Sequence, residues 1–212
     1  MAGGLRLSGP APGGAAASPW LVMATLMACG ACLAGLMPAA ALDWQPGLAA
    51  SEPWRWWTSA FVHWSPAHLG ANLLGVAALA LFGLWVGLPG WATLCWALAW
   101  PLGHLGLWVE PQLSHFGGLS GVLHAGAAVV SVALLVAPTP PRQRAGLLLV
   151  AALCVKLLCE NLAAQPAGLR AAVGIPELVL ATRAHAGGAL AGWGLALVAV
   201  ALSACTKPRQ PS

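Results

Sequence analysis

Charged residues make up only 7% of this sequence, whereas a typical soluble domain carries about 25%. Hydrophobic residues make up 59%, and the mean hydropathy is +0.81. This shortage of charge excludes a water-covered globular surface and predicts a membrane protein with several spans. The nine basic residues are too scattered to form a patch for nucleic acid, so we expect no nucleic-acid partner.

Signals for metal or cofactor binding are also missing. The sequence has no H-E-x-x-H motif, and no carboxylate neighbours the central histidines along the chain, so it predicts no metal and no cofactor. The six cysteines lie in or near apolar runs, and only Cys29 and Cys32 have C-x-x-C spacing. We interpret them as small buried apolar residues rather than as disulfides or metal ligands.

What the sequence does contain is a series of apolar runs, which predicts an all-α membrane protein built as a six-helix bundle. Residues 19–205 form the predicted membrane domain, between a disordered tail at 1–18 and a basic tail at 206–212. A proline kink is expected at Pro101. The predicted spans are 20–37, 68–87, 91–108, 119–136, 145–159 and 184–203. An alternative for residues 20–41 is a secretory signal peptide cleaved near Ala39–Ala41.

Charge placement predicts the orientation of this bundle. With both termini in the cytoplasm, the inner segments contain basic residues and no acid: Arg6, Arg142, Arg144, Lys207 and Arg209. All five acidic residues then fall in the outer loops, which are residues 38–67, 109–118 and 160–183. This distribution follows the positive-inside rule.

Polar side chains cluster at the predicted outer ends of three spans. Ser120, between Gly118 and Gly121, precedes the fourth apolar run, and His185 opens the sixth. His68 and Asn72 open the second run, four residues apart and therefore on one helix face. Because ionisable groups in a bilayer are costly, they are functional candidates.

These parts fit a nucleophilic site. Ser120 would attack a carbonyl, His185 would accept its proton, and His68, Asn72 and the Ser120 backbone N–H would stabilise the oxyanion. Each residue also has a simpler interpretation: Ser120 as a helix cap, His185 as an interfacial histidine, and His68 with Asn72 as a polar packing pair.

Small residues would bring the fourth and sixth spans together. Gly188 and Gly192 lie four residues apart, nearly in line with His185, and Gly121 and Ala125 give the fourth span a matching face. Small-xxx-small faces allow close helix approach in membranes. Such packing would place Ser120 beside His185.

Together the motifs resemble those of rhomboid intramembrane serine proteases. The resemblance covers residues 50–200 and rests on three motifs: W54-R55-x-x-T58-x-x-F61-x-H63-x4-H68-x3-N72, G118-L119-S120-G121 and H185-x2-G188-x3-G192. It implies a Ser120–His185 dyad without an aspartate. It also implies an oxyanion hole from His68, Asn72 and Ser120, and transmembrane protein substrates cut in or near the span.

One position departs from many members of that family. His124 follows the serine by four residues, where a tyrosine often packs on the catalytic histidine, and this chain has no tyrosine. Serine followed by histidine at this spacing is similar to the rhombosortase branch. That resemblance implies a multi-pass protein of a bacterial inner membrane, its site open to the periplasm. Its substrates would carry a C-terminal anchor containing Gly-Gly.

Two other classes compete with the protease. A catalytically inactive rhomboid-fold protein would bind membrane clients, although such relatives usually lack the serine or the histidine. A small transporter or channel would line a path through the bilayer with polar residues, whereas here they cluster at one end.

Overall fold

The computed structural model describes residues 18–108, 113–164 and 177–205, with only the backbone given for 163–164 and 177–181. The predicted tails (1–17 and 206–212) and the middle of the 160–183 loop fall outside these ranges. The described residues form nine α-helices: α1 (Pro19–Ala34), α2 (Ala39–Leu42), α3 (Arg55–Thr58), α4 (Pro66–Val86), α5 (Gly90–Leu102), α6 (Leu105–Trp108), α7 (Ser120–Leu135), α8 (Pro140–Ala164) and α9 (Glu177–Cys205). Apart from one bridge between Trp44 and Phe116, these ranges contain no β-structure.

Three of these helices are long and apolar enough to cross a bilayer. They are α4, residues Pro140–Leu162 of α8 and residues Thr182–Cys205 of α9. Helices α1 and α7 are apolar but have 16 residues each, whereas a span needs about 20. The prediction of an all-α fold is therefore confirmed, with helices that are long and apolar enough to span a membrane, whereas a bundle of six spans stays a prediction.

Helix α7 is the centre of the bundle. It packs against α4, α5, α8 and α9, and nearly all of its side chains are buried. Two indoles donate hydrogen bonds to it: Trp96 to the Val122 carbonyl at 2.8 Å and Trp193 to the Ser131 hydroxyl at 3.0 Å. A helix that is apolar on every side needs such a surrounding layer, and here it fixes the position of Ser120 at its first turn.

Helices α7 and α9 approach closely along their small residues. A Cβ atom built on Gly188 would lie 2.0 Å from the carbonyl oxygen of Gly121, and one on Gly192 would lie 2.4 Å from that of Ala125. Only glycine fits at both positions, since real Cβ atoms do not come this close to backbone oxygen. The predicted small faces thus meet, one residue from Ser120 and three from His185.

Buried charge stabilises the connection between α1 and α4. The Arg55 guanidinium is 4% exposed and donates to the Asp43 carboxylate at 3.0 Å, to the Asp43 carbonyl at 2.6 Å and to Glu52 at 2.7 Å. His115, from the segment before α7, contacts the other Asp43 oxygen at 2.5 Å. Losing one partner would leave a buried charge unpaired, which is strongly destabilising. Arg55 is therefore an anchor within this loop rather than an exposed interfacial residue.

The same connection positions the loop that leads into Ser120. Trp44 and Phe116 exchange backbone hydrogen bonds at 2.8 and 2.9 Å, and the Gly118 N–H donates to the Ser59 carbonyl at 3.0 Å. These bonds satisfy backbone groups that helix α7 cannot reach. The serine loop is thus held from both sides before the helix begins.

Several helix boundaries differ from the prediction, including the start of α8, which lies at Pro140 and not at residue 145. Helix α5 ends at Leu102, just after Pro101, and a turn at Gly103 and His104 separates it from α6. Helix α8 continues to Ala164, so Glu160 lies in a helix and not in a loop. Helix α9 begins at Glu177, so His185 lies about two turns inside it and does not open it.

The cysteine interpretation is wrong for most of the six. Only Cys95 is buried, whereas Cys29, Cys32, Cys154, Cys159 and Cys205 are exposed, all as free thiols. The exposed cysteines lie on the apolar helices α1, α8 and α9, whose outward faces would contact lipid. A cysteine is small and apolar enough for either environment.

Candidate active site

The predicted site residues meet at one cavity of about 580 Å³, mainly apolar in its lining. Helices α4, α7, α8 and α9 all contribute residues to its lining. The polar side chains that line it are His68, Asn72, Ser120, His124, Lys156 and His185. Pockets with a few converging polar groups on apolar walls are the usual form of a binding or active site.

Ser120 is the first residue of α7, directly after a strained glycine turn. Gly118 has φ +134°, and a Cβ there would lie 2.9 Å from the His68 ring and 3.9 Å from the Asn72 amide nitrogen. The first backbone N–H groups of a helix have no partner within it. Ser120 therefore lines the cavity together with His68 and Asn72, at a helix start whose first N–H groups lack intrahelical partners.

Gly118→Ala should be destabilising by about 1–3 kcal/mol, since alanine is strained at this φ value and its methyl group would also displace His68. Equilibrium unfolding in mixed micelles measures the change. Gly47→Ala is the matched control, because Gly47 has a negative φ and nothing lies within 4 Å of the point where its methyl group would stand. Equal stability of the two variants would contradict the assigned role of the turn.

His68 and Asn72 lie on the first turns of α4. Ser65 caps this helix, accepting a hydrogen bond from the His68 N–H at 3.1 Å, and Pro66 follows at the first helical position. The Asn72 amide nitrogen is buried and has no hydrogen-bond partner among the described residues. An unpaired buried donor costs about 1–3 kcal/mol, so its retention suggests a ligand atom as the partner.

A second histidine supports His68 from outside the helix. The His63 ring lies edge-on to the His68 ring with a centroid distance of 4.9 Å, and its Nδ1 lies 2.9 Å from the Phe61 carbonyl. Burial lowers the pKa of His63, against the effect of that hydrogen bond. His63 is thus held neutral at pH 7 and donates from Nδ1.

His124 stacks on His185 in the middle of the site. The two rings are nearly parallel, 17° apart, with centroids separated by 4.2 Å. His124 Nδ1 lies 2.6 Å from the Ser120 carbonyl oxygen, which can only accept, so this nitrogen carries a proton. His124 therefore makes the stacking contact on His185 that a tyrosine often makes in the family whose motifs this sequence resembles.

A carboxylate that the sequence analysis placed in a loop contacts His185. Glu160 Oε2 lies 2.9 Å from His185 Nδ1, and Glu160 Oε1 pairs with Lys156 one turn earlier in α8. No carboxylate neighbours these histidines along the chain, but Glu160 lies beside His185 in space because α8 extends past Cys159. The i, i+4 spacing of Lys156 and Glu160 in an apolar helix was the signal for this pair.

His124, Glu160 and His185 also place three potential ligand atoms within 4.8 Å of one another. Imidazole binds metal through lone pairs in the plane of the ring. Two stacked rings direct these lone pairs side by side and not toward one point, and both Nδ1 atoms already have partners. The geometry favours a chain of hydrogen bonds over a metal centre.

Nε2 of His185, the ring nitrogen that does not face Glu160, is the atom available for proton transfer. Its Nδ1 donates to Glu160, so Nε2 is the basic nitrogen of the neutral ring. Among the described residues, Nε2 is buried and has no hydrogen-bond partner, so it does not contact the Ser120 hydroxyl directly. Hydrogen bonds between a nucleophile and its general base are often long before substrate binds and shorten in the complex.

Comparison of the sequence with protein-family models and with curated proteins gives no match. The residues of the cavity and their geometry therefore carry the functional argument.

Proposed function

We propose that this chain is a rhomboid-type intramembrane serine endopeptidase that cleaves membrane-anchored proteins in or near a transmembrane segment. The observation that carries the proposal is the buried, unpaired Nε2 of His185 in the cavity that Ser120 also lines. A neutral imidazole with one nitrogen fixed and the other open is the form that a general base requires.

The reaction follows from these groups. Ser120 Oγ attacks the scissile carbonyl carbon while its proton passes to His185 Nε2. The resulting oxyanion is stabilised by the Asn72 amide, His68 and the Ser120 backbone N–H. The C–N bond then breaks, and the His185 proton moves to the leaving amine. Water attacks the acyl-enzyme and gives a proton to Nε2. The ester C–O bond then breaks as Nε2 returns this proton to Ser120 Oγ, which restores the free enzyme.

The walls of the cavity support a membrane-embedded substrate. Helices α4, α8 and α9, which are long and apolar enough to span a bilayer, all contribute to its lining. Leu79, Leu123 and Leu153 give it an apolar lining. A polypeptide leaving a membrane helix would enter between α4 and α8 without exposing apolar side chains to water.

The remaining features belong to the same proposal. The chain crosses a bacterial inner membrane six times, with cytoplasmic termini and the site near the periplasmic face. Substrates with a Gly-Gly-containing C-terminal anchor fit the proposal, because glycines unfold readily from a helix and expose their carbonyl groups. The rhombosortase-like spacing of Ser120 and His124 also supports this class.

Covalent labelling tests the proposal directly. The full chain in detergent is incubated with a fluorophosphonate probe, digested and mapped by mass spectrometry. We expect one stoichiometric adduct on Ser120, formed by loss of fluoride, and no adduct after heat denaturation, since an ordinary serine is unreactive. Absence of labelling on natively folded protein would reject the protease and favour a client-binding protein.

A further inference from the structure

The strongest unassigned feature is the chain of contacts behind His185. It runs from the Lys156 ammonium through the Glu160 carboxylate to His185 Nδ1, with the His124 ring stacked on the face of His185. Helices α7, α8 and α9 each contribute to it. A charged pair inside an apolar helix is costly and therefore needs an explanation.

We propose that Glu160 is a positioning residue that makes the site a Ser120–His185–Glu160 triad rather than a dyad. This inference rests on the proposed function. The carboxylate accepts the Nδ1 proton of His185, which selects the tautomer whose Nε2 is the base. It also stabilises the imidazolium that forms when Nε2 takes the serine proton.

The position of Glu160 suits this role. Its side chain is 23% exposed and that of His185 is 11% exposed, so the contact lies in a partly desolvated region. Charge interactions are stronger there than in water. Lys156 balances the negative charge, which lowers the cost of holding a carboxylate at this depth. Lys156 also lines the cavity, whereas Glu160 lies behind the histidine.

His124 completes the restraint on the ring. Stacking limits tilting of the His185 plane, and the Glu160 hydrogen bond limits rotation within that plane. His124 is itself fixed by its bond to the Ser120 carbonyl. His124 thus contacts both the ring of His185, the proposed base, and the backbone of Ser120, the proposed nucleophile.

Labelling kinetics separate a positioning role from a merely structural one. The variant Glu160→Gln keeps the shape of the side chain, but its amide can accept from Nδ1 or donate to it, so both tautomers form. We expect the maximal rate of fluorophosphonate labelling to fall by about 10²- to 10⁴-fold while the half-saturating probe concentration and the thermal midpoint are unchanged. Asn161→Ala, an exposed neighbour on α8, should label like the wild type.

Nitrogen NMR gives a second readout that does not depend on activity. In ¹⁵N-histidine-labelled protein, the His185 signal is assigned by its loss in His185→Gln. We expect a single Nδ1–H tautomer in the wild type and a mixture in Glu160→Gln. Two results would overturn the triad: an Nε2–H tautomer in the wild type, or an unchanged labelling rate in Glu160→Gln.

The two proposals fail in different ways. If the wild type labels at Ser120 and Glu160→Gln labels equally fast, the protease proposal stands and the triad is rejected. If the folded wild-type protein never labels, both the protease proposal and the triad are rejected. Loss of labelling on chelation with 1,10-phenanthroline, restored by Zn²⁺, would assign His124, Glu160 and His185 to a metal and overturn the triad.

Discussion

Ser120→Ala and His185→Gln are each expected to lower substrate cleavage by about 10⁴- to 10⁶-fold, and the double variant should be no worse than either alone. A nucleophile and its base act as one unit, so removing either one removes nearly the whole chemical step. The residual rate would come from the oxyanion donors and from substrate binding. Non-additivity of this size distinguishes a working pair from two independent contributions.

The assay uses a single-spanning fusion protein with Gly-Gly at the outer end of its span, reconstituted with the full chain in liposomes. Ser114→Ala is the matched control, since Ser114 is exposed and lies outside the cavity. It should cleave like the wild type. Normal cleavage by either single variant, or strictly multiplicative losses in the double variant, would contradict the pair.

The sequence was sufficient for the framework of the site because its signals are local. Ser65 and Pro66 begin α4 two residues before the predicted start, and the glycine turn at Gly118 precedes α7. Hydropathy gave the order of the helices, and the small residues on α7 and α9 indicated which two approach most closely. Ser120, His185, His68 and Asn72, the residues predicted for the nucleophile, the base and the oxyanion donors, therefore all line the cavity.

Glu160 was missed because a charge was interpreted as the end of a helix. Lys156 and Glu160 neutralise each other one turn apart, so the helix continues through both. The pairing with His185 joins residues 25 positions apart. Only the packing of α8 against α9 brings them together, and no local pattern contains that information. Recognising the i, i+4 pair would have given the helix length but not the partner.

The pairing of Arg55 with Asp43, in the connection between α1 and α4, was likewise not predictable from local sequence. The bond between them spans 12 residues of irregular chain, and His115 joins from 72 residues away. These charges are separated by many residues in the sequence, so no local pattern indicates that they pair. Once the three groups are paired, Asp43 and Arg55 can be buried, and the loop becomes the support for the serine turn.

Gly188→Ala is expected to be destabilising by about 3 kcal/mol or more, the upper end of the cost of overpacking. Its methyl group would lie 2.0 Å from the Gly121 carbonyl oxygen and 2.8 Å from the Gly121 carbonyl carbon. Both contacts are with backbone, which cannot turn aside as a side chain can. To restore ordinary carbon–oxygen contact distances, helices α7 and α9 would have to separate by roughly 1.5 Å.

This separation would occur next to the proposed reacting groups. Gly121 is the residue after Ser120, and Gly188 lies three residues after His185. A misplacement of about 1 Å can cost about 100-fold in rate. The folded fraction of Gly188→Ala should therefore label Ser120 far more slowly than the wild type. Gly192→Ala meets Ala125 at 2.4 Å, one turn deeper, so it should lose similar stability but less labelling.

Gly194→Ala provides the matched control on the same helix, since its added methyl group would have no neighbour within 4 Å. Its stability should stay within about 1 kcal/mol of the wild type, because a helical alanine is at least as favourable as glycine. Unfolding in mixed micelles and labelling kinetics are measured on all three variants. If Gly188→Ala matched Gly194→Ala in both measurements, α7 and α9 would not be in backbone contact, and the packing that places His185 beside Ser120 would be wrong.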